Sequence, residues 1–263
     1  MAWVRRNLLT FAAMVTLFIL LLPNVVVALF SFNKPNGRYN YQWVRFSTDA
    51  WANPCGTPGI CDSLGLSLRI GITASVVATI LGTMVAFALG RFRFRGRATT
   101  NLLIFMPMAT PEVVMGSSLL TLFVMMGLST GALAILIAHI MFCVSFVVVA
   151  VKARVASLDP RLEEAAADLG ATPVATFMKV TLPLVAPGIA AGALLAFSLS
   201  FDDYIITNFN ASPSSVTFPM YVWGAAQRGT PVQINVVGTV MFVLSVGIVL
   251  TAQLISRRRA RKA

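Results

Sequence analysis

The residues of this chain that could do chemistry are few, and most are carboxylates. Nine Asp and Glu stand against twenty Lys and Arg in 263 residues. Seven of the nine fall into three groups: Glu112, the adjacent Asp202 and Asp203, and a run of Asp159, Glu163, Glu164 and Asp168. Adjacent carboxylates can hold a cation or relay protons, and an acidic run can seat against a basic groove. A Gly-x-x-x-x-Gly-Lys-Ser/Thr loop and a His-Glu-x-x-His pair are both absent, and His139 is the only histidine. Neither nucleotide hydrolysis nor zinc proteolysis therefore has its residues here. Cys55 and Cys61 flank Gly56-Thr57-Pro58-Gly59-Ile60 without a nearby histidine or second cysteine pair, a poor zinc site, and Cys143 sits in an apolar run. The expectation is a non-enzyme that binds no metal or cofactor of its own.

The elements that position these groups are membrane spans. The chain is 57% hydrophobic and only 11% charged, with mean hydropathy +0.83, where a soluble domain carries about 25% charged residues. A bilayer-crossing helix needs about 20 apolar residues. Six stretches qualify, near 8–30, 66–90, 101–126, 130–151, 185–208 and 234–256. The first is too long for a signal-peptide core and is read as an uncleaved span. With this topology fifteen basic residues face one side: Arg5, Arg6, Arg91, Arg93, Arg95, Arg97, Lys152, Arg154, Arg161, Lys179, Arg257, Arg258, Arg259, Arg261 and Lys262. Five face the other: Lys34, Arg38, Arg45, Arg69 and Arg228. The positive-inside rule then puts both termini in the cytoplasm, and the +11 net charge is topology rather than a nucleic-acid footprint. Arg91-Phe92-Arg93-Phe94-Arg95 reads as a juxtamembrane anchor, with an RNA or lipid-headgroup site as its alternative. Cys55 and Cys61 fall outside, where an oxidising compartment permits a disulfide. His139, within a span, is expected to hydrogen-bond to a neighbouring helix, with a proton relay as the alternative.

Between the fourth and fifth spans the acidic run lies in an inside segment that reads as two short helices. Asp159 caps the first, Pro160 opens it and Gly170 stops it; Thr172-Pro173 starts the second, which Pro183 ends. On a helical wheel Leu162, Ala165, Ala166 and Leu169 share a face expected to pack, opposite Glu163, Glu164, Ala167 and Asp168. The other acids lie at membrane depth. Thr110-Pro111-Glu112 reads as a cap, a first-turn proline and an acid on the positive end of the helix dipole, so the third span should break there. Asp202 and Asp203 sit in a run without an evident helix breaker, about 21 Å along the fifth span from Gly188. Small residues Gly188, Ala190, Ala191, Gly192 and Ala193 permit close helix approach at the start of that span.

Glu164-Ala165-Ala166, three residues, Gly170, nine residues, Val180 and then Leu182-Pro183 resembles the EAA loop of permease subunits in binding-protein-dependent ATP-binding-cassette importers. Val180 stands where that family usually has Ile. The resemblance runs from Ser67-Leu68-Arg69-Ile70-Gly71 to the basic C-terminus. It implies an all-α integral membrane protein of six transmembrane helices, an ABC importer type I permease fold, as one permease domain over 1–263 with a coupling loop at 152–183. It further implies that Glu163, Glu164, Ala165, Ala166, Asp168, Gly170, Leu182 and Pro183 form the coupling surface to a separate ATPase, Glu164 meeting a basic residue there. The implied partners are a second homologous permease, two ATPase subunits that hold ATP and Mg, an extracytoplasmic binding protein and the bilayer of a bacterial inner membrane.

Pro111-Glu112-Val113-Val114, Leu199-Ser200-Phe201-Asp202-Asp203-Tyr204 and Phe218-Pro219-Met220-Tyr221 resemble the permeases of spermidine/putrescine importers, more the second of the two. That implies a polyamine substrate and a path including Glu112, Asp202, Asp203 and Tyr204. Asp202 and Asp203 have an alternative use, at the dimer interface or in a salt bridge to the partner permease. Tyr204, Phe209, Tyr221 and Trp223 could offer cation–π faces or form an interfacial belt. Ferric iron, thiosulfate or molybdate are alternative solutes. An ion-coupled carrier working through the same acids, or a membrane scaffold, are alternative classes.

Overall fold

The computed structural model describes the backbone of residues 2–260 and the side chains of residues 7–248, 250 and 251. The expected inside charges at Arg5, Arg6, Arg257, Arg258, Arg259, Arg261 and Lys262 fall outside the described residues or side chains. The elements are helical: α1 Ala2–Phe30, α2 Asp49–Ala52, α3 Ile60–Arg91, α4 Arg97–Ala109, α5 Glu112–Met125, α6 Ala132–Ala156, α7 Arg161–Asp168 and α8 Pro173–Thr176. A π-helical turn Phe177–Thr181 follows, then α9 Leu182–Asp202, α10 Ile205–Asn210, α11 Phe218–Arg228 and α12 Val232–Ala260. The stretches Asn7–Phe30, Ile60–Arg91, Ala132–Ala156 and Pro173–Asp202 are long and apolar enough to cross a membrane, and α4 with α5 makes a fifth if the bent pair is one span. The described apolar part of α12 is Val232–Ile248.

The helices form two compact units, one of residues up to 61 with those from 221 onward, the other Asp62–Met220. In the first, Val27 of α1 approaches Gly238 of α12, and Val232 and Val236 of α12 pack with Ala50 and Trp51 at α2. The apolar window of α1 is otherwise uncovered, from Leu8 to Leu29. A helix apolar on all sides needs lipid or a partner chain around it.

In the second unit α6 is the centre. Its Ala134, Ala138, Phe142, Cys143, Val147 and Val151 are buried among α3, α5 and α9. The small-residue stretch in α9 faces α6: a Cβ on Gly188 would stand 2.6 Å from Arg154 Cβ, and one on Gly192 would stand 3.5 Å from Val147 Cγ1. Ala190 and Ala191 turn outward.

Three local expectations change. The third span is two helices bent by 109°, but Thr110 does not cap the second. Its backbone is extended, as the residue before a proline tends to be, and its hydroxyl donates back to Met106 O at 2.7 Å. Pro183 does not end a helix either. The π turn before it, with Leu182 N–H reaching Phe177 O, accommodates the missing proline N–H, so the second arm of the elbow runs on into the long apolar stretch Pro173–Asp202. Finally, the fifth span stops at Asp202 rather than 208, and the chain restarts as α10.

Candidate functional site

The elbow is built by three local signals. Asp159 Oδ1 accepts from Arg161 N at 3.0 Å at the start of α7. At its end Gly170, at φ +80°, closes a Schellman motif: Gly170 N–H donates to Ala167 O at 2.9 Å and Ala171 N–H to Ala166 O at 3.0 Å. Thr172 then caps the next helix, its hydroxyl accepting from Ala175 N at 3.3 Å with Pro173 at the first position.

The inward side of α7 differs from the helical-wheel expectation: Glu163 turns in and Leu162, Ala165 and Leu169 do not, while Glu164, Ala167 and Asp168 stay exposed as expected. Glu163 points into the unit, where its Oε1 accepts from Arg91 Nη2 at 3.0 Å and from Thr181 Oγ1 at 2.8 Å. The guanidinium at the end of α3 draws the acid in, and the wheel carries no information about it. Leu162 and Leu169 are left 46% and 90% exposed, beside exposed Glu164, Ala165 and Asp168. Ala166 and Leu182 are half-buried and Pro183 is exposed. Behind the elbow an open cavity of about 1050 Å³ is lined by Met84, Phe87 and Arg91 of α3, by Glu163 and Ala167 of α7, and by Phe177. The elbow thus offers an outward surface of two leucines framed by two carboxylates, suited to an apolar groove with basic edges.

At the other site the acids part company. Asp203 sits in extended backbone between α9 and α10 and caps α10, its carboxylate accepting from Ile206 N at 3.3 Å, Thr207 N at 2.7 Å and Thr207 Oγ1 at 2.7 Å. It is also 3.2 Å from His139 Nε2. The breaker not recognised in the sequence is Asp203 itself, a strong N-cap residue whose remaining partner comes from α6. His139 is 1% exposed; its Nε2 also meets Thr207 Oγ1 at 3.0 Å and its Nδ1 meets Ser200 Oγ at 2.7 Å. With the proton on Nε2, that N–H donates to Asp203 and Thr207 while Nδ1 accepts from the Ser200 hydroxyl, so every group in the knot is satisfied. Oδ2 takes three of these four contacts and Oδ1 one, and the Asp203 side chain is 5% exposed, so its carboxylate is largely committed to the protein.

Asp202 is exposed as the last residue of α9. The unsatisfied carbonyls there carry the negative end of the helix dipole, which adds to its charge. Glu112, also exposed, is the first residue of α5, where the dipole offsets its charge. Each effect is about 0.3 to 1 kcal/mol, so Asp202 is the stronger attractor of a cation. Tyr204 is half-buried beside the break. The structure packs α5 against α10: a Cβ on Gly116 would stand 2.7 Å from Phe209 Cδ2 and 3.3 Å from Ile206 Cα. The helix that begins with Glu112 therefore lies against the helix that follows Asp202 and Asp203. Phe209 serves this packing, Tyr221 OH donates to Pro58 O at 3.2 Å, and Trp223 is 56% exposed. Cys55, in the loop that precedes α3, is joined by a disulfide to Cys61 in the first turn of that helix.

The residues missed in the sequence are Arg91 and Thr181, which meet at Glu163, and, separately, Arg154. Arg154 Nε donates to Leu184 O at 3.0 Å and its side chain packs on Gly188. In the sequence, topology alone accounts for both arginines.

The family of binding-protein-dependent transport system inner membrane components matches residues 78–262. The spermidine/putrescine transport system permease protein PotC of Escherichia coli (strain K12) is 34% identical over 242 residues, 92% of this chain and 91% of that protein. The putrescine transport system permease protein PotI of the same strain is 38% identical over 234 residues, 86% and 82% of the two chains. In structure the chain is similar to a bacterial ABC transporter involved in the import of the acidic polysaccharide alginate. The TM-score is 0.67 at 19% identity, covering 96% of each chain.

Proposed function

The chain belongs to the binding-protein-dependent transport system inner membrane components, and from that premise we propose that it forms half of the translocation pathway of an ATP-driven polyamine importer. Both termini face the cytoplasm. A second permease completes the pathway, two ATPase subunits bind and hydrolyse ATP with Mg, and an extracytoplasmic binding protein delivers the solute. What carries the solute assignment is the exposed Asp202 at the negative end of α9 in a chain 34% identical to a spermidine/putrescine permease. An extended polycation needs successive anionic stations with low barriers between them. Asp202 supplies one, Glu112 a weaker one, and the half-buried Tyr204 flanks the path.

Coupling is mechanical. The exposed face of α7, with Leu162, Leu169, Glu164 and Asp168, seats in the ATPase, and Ala165 and Ala166 let the groove approach closely. Gly170 makes the turn, and Leu182 and Pro183 join the elbow to the span. Because the second arm is continuous with the stretch Pro173–Asp202, a tilt of the elbow on ATP binding is transmitted along one apolar helical stretch to the α9–α10 break. That motion changes which side the pathway faces. The disulfide between Cys55 and Cys61 secures the outer loop.

The test is Asp202→Asn in the assembled transporter. One charge-assisted contact is worth about 1.5 to 3 kcal/mol when shielded, so spermidine uptake should fall roughly 10- to 100-fold, with basal ATP hydrolysis intact. Unchanged uptake would remove Asp202 from the path.

A further inference from the structure

The segment between α1 and α2 has its polarity turned inside out. Its interior is polar. Asn33 and Asn40 are 2% and 6% exposed, and Asn33 Nδ2 donates to Asn40 Oδ1 at 2.6 Å and to Gln42 O at 2.7 Å, while its Oδ1 accepts from Val44 N at 2.9 Å. Asn40 Nδ2 donates to Phe30 O at 2.9 Å. Backbone bonds from Lys34 N to Arg45 O at 2.9 Å and from Ser47 N to Phe32 O at 2.7 Å close the loop into a firm platform. Its exterior is aromatic. Tyr41, Trp43 and Phe46 are 64%, 48% and 67% exposed, Tyr39 stacks on Tyr41, and Arg38 and Arg45 are exposed among them. A loop surrounded by water would hide its rings and solvate its asparagines. This one satisfies its amides internally, as a surface away from bulk water requires.

The position of the platform identifies what covers it. The aromatic face begins at the last residue of the uncovered apolar helix α1, where Phe30 meets Trp43 edge to face with centroids 6.2 Å apart, and Phe32 stacks on Phe46 at 5.7 Å. The apolar stretch Asn7–Phe30 has 24 residues, about 36 Å at helical rise, enough to traverse the hydrocarbon layer and reach the headgroups. Tyr and Trp favour that depth because their rings are apolar and their tips polar, and arginines beside them suit anionic phosphates. We infer that residues 38–46 form a foot lying in the lipid headgroup layer at the C-terminal end of α1, with Tyr39, Tyr41 and Trp43 immersed and Arg38 and Arg45 on phospholipid phosphates. The lipid surface would thereby fix the angle at which α1 leaves the bilayer. The inference is independent of which solute is carried.

The complete transporter in nanodiscs of phosphatidylethanolamine and phosphatidylglycerol tests it. The Trp43 fluorescence is isolated as the difference between the unaltered chain and Trp43→Phe. It should be largely lost with lipid brominated near the carbonyl end of its acyl chains and be spared by aqueous iodide. Quenching by iodide but not by brominated lipid overturns the foot. Iodide quenching relieved on adding the extracytoplasmic binding protein also overturns it and gives the surface to a protein partner. Should Trp43→Phe fail to assemble, a nitroxide on Tyr41→Cys decides. Greater collision with oxygen than with a water-soluble nickel chelate supports immersion, and the reverse order refutes it.

Discussion

Replacing Glu163 and Glu164, neighbours of identical type, should have opposite consequences. Glu163 receives one bond from Arg91 and one from Thr181, with side chains of the ion pair 20% and 34% exposed. Shielded charge-assisted bonds are worth about 1.5 to 3 kcal/mol. Partial exposure lowers that, and polar pairs in membrane proteins average only about 0.6 kcal/mol. Two bonds at an intermediate value give about 2 kcal/mol. Arg91 Nε is already buried without a partner, so losing the carboxylate would leave the guanidinium worse satisfied. Glu163→Ala should therefore lower the unfolding midpoint of the detergent-purified chain by about 4 to 8 °C, at 2 to 4 °C per kcal/mol for a chain of this size. Glu163→Gln, which keeps an acceptor for Thr181, should lose about half as much. Glu164 is exposed and its side chain makes no hydrogen bond among the described residues, so Glu164→Ala should stay within about 0.5 kcal/mol of the unaltered chain. In the assembled transporter Glu164→Lys should uncouple ATP hydrolysis from uptake. Thermal unfolding followed by tryptophan fluorescence separates the pair. Equal destabilisation by both alanines, or none by Glu163→Ala, would refute the inward placement of Glu163.

Two further substitutions probe the packed unit. His139→Ala removes the donor to Asp203 and the acceptor for Ser200, while three donors to Asp203 remain. The cost should be about 1 to 3 kcal/mol by thermal unfolding, and a loss as large as that of Asp203→Ala would contradict the shared load. Gly188→Leu places a side chain where a Cβ already stands 2.6 Å from Arg154 Cβ. It should cost about 1 to 3 kcal/mol or more, and an unchanged midpoint would show that α6 and α9 do not meet there.

Local signals in the sequence carried the elbow well. Asp159, Gly170 and Thr172 each act through groups within three residues, so their roles are readable from neighbours. The break before Glu112 was legible from Pro111 for the same reason. The residues misread take their roles from distant partners. Glu163 is turned inward by Arg91, 72 positions away, and Asp203 is held partly by His139, 64 positions away. A wheel places residues on faces but cannot say which face meets the rest of the chain. Pro183 reads as a stop in the sequence, whereas the π turn that absorbs it shows only in the full run of backbone bonds.

The direct test of the account is transport by vesicles containing this chain with its second permease and ATPase subunits, supplied with the binding protein and labelled spermidine. Uptake should require ATP hydrolysis and all components, and this chain alone under an ion gradient should move nothing. Uptake by the chain alone, driven by the gradient and indifferent to ATP, would contradict it.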